Sequence, residues 1–358
     1  MSRRCPRCKN VYSGEARFCP KDGTPLVDVA SSAVSQPVTP IVPAEGKTMA
    51  RKITPKPGAS LDRAGTLADQ MLDNRYRITR RLGEGGMSFV YEATDVHTGK
   101  QLAIKVLSPK LSKDASSVQR LRREAGLAMR LEHPNVCRIL RLGETEDGLI
   151  YLVMPYLRGE LLSDREAKVG QMSPEVGIDY LVQICAGLHY AHEQHIIHRD
   201  LKPENVMLVP REGGGDNAIV MDFGLAKQRK ADPTMAKLTA TGIILGTPEF
   251  MSPEQIRGKE IDARSDIYAL GIVAYEMFTT QLPFAGRSPQ EMMIARLRGK
   301  PAPLNKYRRD FPPKLEAVLM KSMESEPENR HATARDFAIA LLGAYEGPRA
   351  QNLKAYLR

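Results

Sequence analysis

The sequence predicts an α+β protein whose main body has two packed lobes, a strand-rich one followed by a helix-rich one. Three observations carry this. From about Leu72 to Ala344 the pattern is continuously globular, with short apolar strands first and long helices afterwards. Ahead of it, residues 28–70 are rich in Ala, Ser, Thr and Pro, and such a stretch cannot bury enough apolar surface to offset its ordering entropy. Residues 1–27 hold three of the chain's five cysteines. The expected organisation is a small cysteine-bearing module over 1–27, a disordered linker over 28–70, the two-lobed domain over 72–344 and a short basic tail over 345–358.

Within the domain, strands are expected at 76–82, 89–95 and 101–107, where apolar residues alternate or run together between Gly and turn residues. A helix over 114–131 follows, then strands near 136–143 and 149–154. After Pro174 the pattern turns helical, over 174–195, 265–278, 289–298 and 313–323. Strands first and helices second imply two lobes with a cleft between them. The stretch Arg211-Glu212-Gly213-Gly214-Gly215-Asp216 reads as an enlarged surface hairpin turn.

Bulk properties narrow the class. A chain of 358 residues, 42% hydrophobic and 26% charged, is that of a soluble globular protein. No apolar run approaches the ~20 residues of a membrane-spanning helix. The opening Met1-Ser2-Arg3-Arg4-Cys5 lacks the apolar segment of a signal peptide, so the expected address is the cytoplasm. In that reducing setting, clustered cysteines point to metal rather than to disulfides. The net charge of +10 comes without a run of five or six basic residues, so it fits an enzyme that attracts anionic substrates better than a nucleic-acid binder.

The chemistry is concentrated in His198-Arg199-Asp200-Leu201-Lys202-Pro203-Glu204-Asn205, followed by Asp222-Phe223-Gly224. Together these supply a candidate base, a phosphate-contacting lysine and two metal-binding side chains, the groups needed to move the γ-phosphoryl of ATP onto a hydroxyl. Upstream, the turn Leu82-Gly83-Glu84-Gly85-Gly86-Met87-Ser88-Phe89-Val90 lies between two expected strands, where missing side chains let the backbone approach phosphate oxygens. A strand and not a helix follows it, which excludes a dinucleotide-binding fingerprint. Lys105, in Leu102-Ala103-Ile104-Lys105, sits on an apolar strand where a buried amine needs a partner. Glu124, on the next expected helix, could supply it and hold the amine against the α- and β-phosphates.

With these motifs in this order, residues 72–344 resemble the bacterial eukaryotic-like (Hanks-type) Ser/Thr protein kinases. The resemblance extends to Ser252-Pro253-Glu254, to Asp266 and Gly271, and to Arg330, matched to the arginine that pairs with the glutamate at 254. It implies a two-lobed protein kinase fold, with a β-rich N-lobe and a helical C-lobe, using ATP and Mg²⁺. By position, Asp200 would accept or orient the substrate hydroxyl proton, and Lys202 would neutralise charge on the γ-phosphate. Asn205 and Asp222 would bind Mg²⁺. The glycine turn (Leu82, Gly83, Gly85, Gly86, Ser88), with Val90, Ala103, Lys105, Met154, Pro155 and Leu157, would hold the nucleotide, Leu157 offering its N–H to adenine. Glu160 is a further ribose-side candidate. The serine at 88 replaces the family's third glycine.

Several expectations follow from the resemblance. Protein Ser/Thr hydroxyls are the implied acceptors. Arg199 is available for a phosphate on the activation segment, and Thr239 and Thr241 match activating phosphothreonines, with a dimer as the setting for autophosphorylation in trans. Thr247 is matched to substrate contact. A pseudokinase scaffold and a small-molecule kinase are the competing classes. The intact Lys105, Glu124, Asp200, Asn205 and Asp222 oppose the first, and the segment from Gly246 to Glu254 opposes the second.

At the amino terminus, Cys5-Pro6-Arg7-Cys8 and Cys19-Pro20-Lys21-Asp22 resemble the two halves of a small zinc ribbon, with Asp22 in place of the fourth cysteine. The rival readings are a redox C-x-x-C and a metal-free degenerate ribbon. Such a short module needs metal to fold, and its few aromatics favour a protein partner over nucleic acid. His189, His192 and His195 read as packing and helix-end residues, and Cys137 and Cys185 as inert core thiols.

Overall fold

The computed structural model describes residues 2–4, 11–13, 27–28, 64–85, 88–107, 115–223, 248–286, 288–345, 347 and 353–357. The chain divides into two compact units, Met1–Thr54 and Pro55–Arg358. The first contains an antiparallel sheet of β1 (Ser2–Arg4), β2 (Val11–Ser13) and β3 (Val27–Asp28), with β1 in the middle. Cys5, Cys8, Cys19 and Asp22 lie outside the described residues.

The second unit opens with a six-stranded antiparallel sheet. Its strands are β4 (Met71–Leu72), β5 (Tyr76–Gly85), β6 (Ser88–Asp95), β7 (Gln101–Leu107), β8 (Arg141–Glu144) and β9 (Ile150–Pro155), in the order β4-β5-β6-β7-β9-β8. Alternation decides which face is buried: Tyr76 and Ile78, then Tyr91 and Ala93, then Leu102, Ile104 and Val106 all point into one core. Helix α1 (Ala115–Ala128) packs Ala125 and Ala128 with Leu152 and Met154 of β9.

Two expectations change here. The strand expected at 136–143 shortens to β8, because its first residues are bound elsewhere. Val136 forms a parallel bridge with Val220, and the Cys137 N–H donates to Val220 O at 2.8 Å. The linker expected to reach residue 70 gives way to folded chain by Ala64. Ala64 and Leu67 are fully buried in the sheet's core, and the Tyr91 hydroxyl donates to Ala64 O at 2.6 Å.

The helical lobe follows. It comprises β10 (Glu160–Leu161), α2 (Leu162–Val169), α3 (Pro174–Glu193), β11 (Val206–Pro210), β12 (Asp216–Val220), α4 (Pro253–Ile256), α5 (Ala263–Thr279), α6 (Pro289–Arg298), α7 (Pro313–Ser322) and α8 (Ala334–Ala344). The helices expected after Pro174 are present within two residues at either end, whereas the one expected over 114–131 ends three residues early, at Ala128. Helices α3 and α6 have proline in the first turn and a serine cap, Ser173 accepting from Val176 N and Ser288 from Glu291 N. Leu181 and Ile184 of α3, Leu270 and Val273 of α5, Leu319 of α7 and Phe337 of α8 form the lobe's core.

Strands β10, β11 and β12 form a small antiparallel sheet. The expected hairpin turn is present: Arg211 N–H donates to Gly215 O at 3.0 Å, and Gly213, Gly214 and Gly215 all have positive φ. The basic tail is folded in part. Lys354–Leu357 forms a helical turn, Leu353 is buried against the helical core, and Arg211 Nη1 donates to the Tyr356 hydroxyl at 2.7 Å. Among the described residues, no helix is long and apolar enough to cross a membrane.

Candidate active site

The loop that carries Asp200 is built on one buried carboxylate. Asp266, in the first turn of α5, is 1% exposed. It accepts the His198 N–H and the Arg199 N–H, each at 2.8 Å, and pairs with His192 Nε2 at 2.7 Å. Burial pushes its carboxyl up, but the hydrogen bond and charge of His192, with His198, hold it below the ordinary carboxylate range. These bonds keep Arg199 at φ 69°, a left-handed conformation costly for a residue with a Cβ. From the other side, Gln255 Nε2 donates to Arg199 O at 2.8 Å.

His198 locks the next step. Its Nε2 faces Met221 O at 2.7 Å, and a carbonyl can only accept, so Nε2 carries the proton. Nδ1 is then the acceptor for the Asp200 N–H at 3.3 Å. The ring thereby ties Asp200 to the residue preceding Asp222, and it meets Phe223 edge-on with centroids 4.9 Å apart.

Several charged or polar side chains gather on this frame. Lys202 Nζ lies 3.6 Å from Asp200 Oδ2. Asn205 donates its amide to Asp200 O at 2.7 Å, and its own carbonyl accepts the Met221 N–H at 2.8 Å. Asp222, at φ 63°, meets Lys105 Nζ at 2.7 Å. Burial pushes the Asp222 carboxyl up, yet Lys105, His198 and Lys202 together hold it below the ordinary range, so it is anionic. Glu124 stands half-buried on α1. The ion pair that Lys105 makes in this conformation is with Asp222 and not with Glu124.

On the opposite side of Lys105, strand register sets the other nucleotide candidates. Val90 stands opposite Lys105, Ala103 opposite Met154, and Leu102 opposite Pro155. Gly83 pairs with Val90 and Gly85 with Ser88, while Gly86 and Met87 lie outside the described residues. A Cβ on Gly83 would meet nothing within 4 Å, so the space beside this turn is open. Leu82 is exposed, Met154 buried and Leu157 half-buried. Beyond them, a Cβ on Gly159 would fall 2.1 Å from Leu208 O, so only glycine lets the chain pass against β11. Glu160, the ribose-side candidate, is held by Arg165 and Lys168. Arg165 also reaches the Tyr180 hydroxyl and Asp216, each at 3.0 Å.

The far wall is the stretch from Pro248. Ser252 caps α4 with a reciprocal bond to Gln255. Arg330 forks onto Glu254 with contacts of 2.8 and 2.7 Å, the pairing that the resemblance implied. A cavity of about 440 Å³ beside the catalytic loop is lined by Glu166, Glu204, Glu249, Glu276, Phe250 and Leu282, among others. Burial and the neighbouring Glu276 and Glu204 push Glu166 up to about 8, and Glu276 is pushed to about 6 for like reasons. Thr239, Thr241 and Thr247 lie outside the described residues. Burial, then the Asp222 charge, pushes the Cys137 thiol up to about 12, and Cys185 is buried. His192 serves Asp266 and His189 lies 3.5 Å from Glu193. Among the described residues no His, Cys, Asp and Glu group has metal-binding geometry.

Sequence reasoning missed Gln255 and Arg165. Each looks in sequence like an ordinary polar helix residue, and each acts by a contact with a distant backbone or network. A buried ionic frame, an anionic carboxylate paired with a lysine and an oxygen-rich loop bring together the charges that binding a polyphosphate and its counter-cation requires.

The comparisons agree with that chemistry. Residues 76–342 match the protein kinase domain family. The chain is 39% identical over 282 residues to the Ser/Thr-protein kinase PknB of Mycolicibacterium smegmatis, covering 78% of this chain and 44% of that protein. It is 36% identical over 269 residues to the Ser/Thr-protein kinase pkn3 of Myxococcus xanthus, covering 75% and 49%. The chain therefore spans about half the length of the curated relatives it matches. The crystal structure of the Mycobacterium tuberculosis PknI kinase domain superposes with a TM-score of 0.62 at 27% identity, over 78% of this chain and all of that one. With its matched motifs set on one buried frame, this chain belongs to the protein kinase domain family.

Proposed function

We propose that this chain is a Ser/Thr protein kinase that transfers the γ-phosphoryl of ATP to protein hydroxyls. The observation that carries the reading is the Lys105–Asp222 pair at 2.7 Å, with Lys202 and Asn205 bonded around Asp200 on the Asp266 frame. A scaffold that only bound partners would have no need to hold Arg199 and Asp222 in left-handed conformations. The motif Leu201-Lys202-Pro203-Glu204-Asn205 and the names of the relatives support Ser/Thr over Tyr.

The donor set fits Mg²⁺. Asn205 commits its amide N–H to Asp200 O, which leaves its Oδ1 as an acceptor, and Asp222 is an ionised carboxylate. When bound there, the ion neutralises charge on the phosphates. Lys105 leaves Asp222 for the α- and β-phosphates, Glu124 being the carboxylate on α1 that can take over the amine. Asp200 orients the acceptor hydroxyl and takes its proton, and Lys202 stabilises charge on the transferred group. Leu82, Val90, Ala103, Met154 and Leu157 enclose the adenine. Asp200→Asn tests the reading: purified chain with ATP and Mg²⁺ should acquire phosphate at Thr239, Thr241 or linker threonines, found by mass spectrometry. The reading is lost if this variant labels as well as the original.

We further infer that residues 1–27 hold zinc through Cys5, Cys8, Cys19 and Asp22 and contact a protein partner. The support is the C-x-x-C spacing and the strand β1, which ends at Arg4, next to Cys5. Zinc analysis of the full chain against Cys5→Ser/Cys8→Ser decides it: equal metal in both removes the proposal. A cytoplasmic location fits free thiols held for metal.

A further inference from the structure

We propose that Arg296 is a positioning residue for the protein substrate, a role that rests on the kinase reading. Arg296 lies on α6 and is 2% exposed. Its hydrogen bonds all go to backbone carbonyls. Nη1 donates to Pro248 O at 2.5 Å and Met251 O at 3.1 Å, and Nη2 donates to Glu249 O at 2.6 Å. The guanidinium also lies 5.5 Å from the Phe284 ring centroid. Burial pulls its pKa below the usual guanidinium value, so the fold bears a cost for keeping a charge there.

What that cost secures is the shape of one short turn. Pro248–Phe250 is a single helical turn whose backbone bond, Met251 N–H to Pro248 O, is long at 3.3 Å, and carbonyls at the end of such a turn lack intrahelical partners. Arg296 acts as their common cap, and its planar fork fixes three carbonyl directions at once. The same stretch is tied to the catalytic loop at its other end, through Gln255 and Arg199 O. Between those two ties, Glu249 and Phe250 line the cavity that also touches Pro203 and Glu204. A protein acceptor that enters this cavity beside the catalytic loop lies along this wall. The nucleotide candidates Gly83, Val90 and Lys105 belong to the sheet of the other lobe. Arg296 therefore sets where the acceptor lies and leaves the nucleotide alone.

Arg296→Met and Arg296→Lys in the full chain test this, with dephosphorylated casein as acceptor. Arg296→Met is expected to raise the casein KM about tenfold while the ATP KM stays within twofold, since misplacing an acceptor by about 1 Å has effects of that order or larger. Arg296→Lys, which keeps the charge and part of the donor set, should recover part of the loss. It is the variant to rely on if Arg296→Met melts early. Amide hydrogen exchange should speed up at Glu249, Phe250 and Met251. An unchanged casein KM in a folded, active Arg296→Met overturns the proposal, as does an ATP KM that rises in parallel. A wild-type chain that labels no casein, and no better than Asp200→Asn, overturns the kinase reading and this proposal with it.

Discussion

Arg330 and Glu254 meet as a buried, two-pronged ion pair, Nη1 to Oε1 at 2.8 Å and Nη2 to Oε2 at 2.7 Å. The fork is shared with the carbonyls of Arg264, Glu324 and Ser325, and it lies 4.7 Å from the Tyr268 ring centroid. The Ser265 hydroxyl donates to the same carboxylate. One pair thus joins α4, the start of α5 and the turn before α8.

Breaking that pair from one side should be severe. Arg330→Met strands a buried carboxylate, and a loss of about 3–5 kcal/mol in denaturant unfolding is expected. Glu254→Leu combined with Arg330→Met should recover part of it. The pH dependence has a definite sign. Burial pushes Glu254 up, but Arg330 and Ser265 more than offset this and hold it at about 2, below its ordinary 4.5. The stabilisation is complete above pH 4.5 and is lost as pH falls toward 2, so the double variant should show a flatter acid limb.

Glu166 works in the opposite direction. Its carboxyl is raised from 4.5 to about 8, so the folded chain binds a proton that the unfolded chain has released over that interval. Stability contributed by this group is full below about pH 4.5 and declines as pH rises to 8. Glu166→Gln should therefore raise Tm at pH 8.5 and change it little at pH 4.5, in melts of the two proteins side by side.

Asp222→Asn removes the anion that faces Lys105. Transfer should fall by about 10²-fold or more, with Mg²⁺-dependent ATP binding weakened alongside it, while circular dichroism stays unchanged. Isothermal titration with and without Mg²⁺ separates the two losses.

Gly159→Ala should destabilise the chain by about 1–3 kcal/mol, because the new methyl would press on the Leu208 carbonyl, which is backbone and cannot swing aside. A melt showing no loss would mean that the 156–160 stretch can move away from β11.

Much of the site was legible because phosphoryl transfer restricts which residue types can serve. Asp200, Lys202, Asn205 and Asp222 declared themselves by type and order, and the strands and helices by period. Arg296 and Gln255 did not, since a side chain that caps a remote carbonyl leaves no mark on its own neighbourhood. The Lys105–Asp222 pair was hidden for another reason: sequence names the groups able to pair, and conformation selects among them. At the margins, Ala64 and Leu67 stand in a stretch whose composition reads as disordered, and two apolar residues cannot alter that average. Their burial depends on Tyr91, which offers both a core to enter and a hydroxyl to bind.

The folded margins bear on anyone who wishes to cut the catalytic unit free. A fragment trimmed to 72–344 would discard Ala64 and Leu67 from beneath the sheet and would sever Tyr356 from Arg211. It would leave the Tyr91 hydroxyl without its buried acceptor and Arg211, at the root of the hairpin that leads to Asp222, held by Asp179 without Tyr356. Such a piece would express as a frailer protein, and its weak catalysis would be blamed on chemistry. Cloning boundaries that begin before residue 64 and run through residue 357 avoid that mistake.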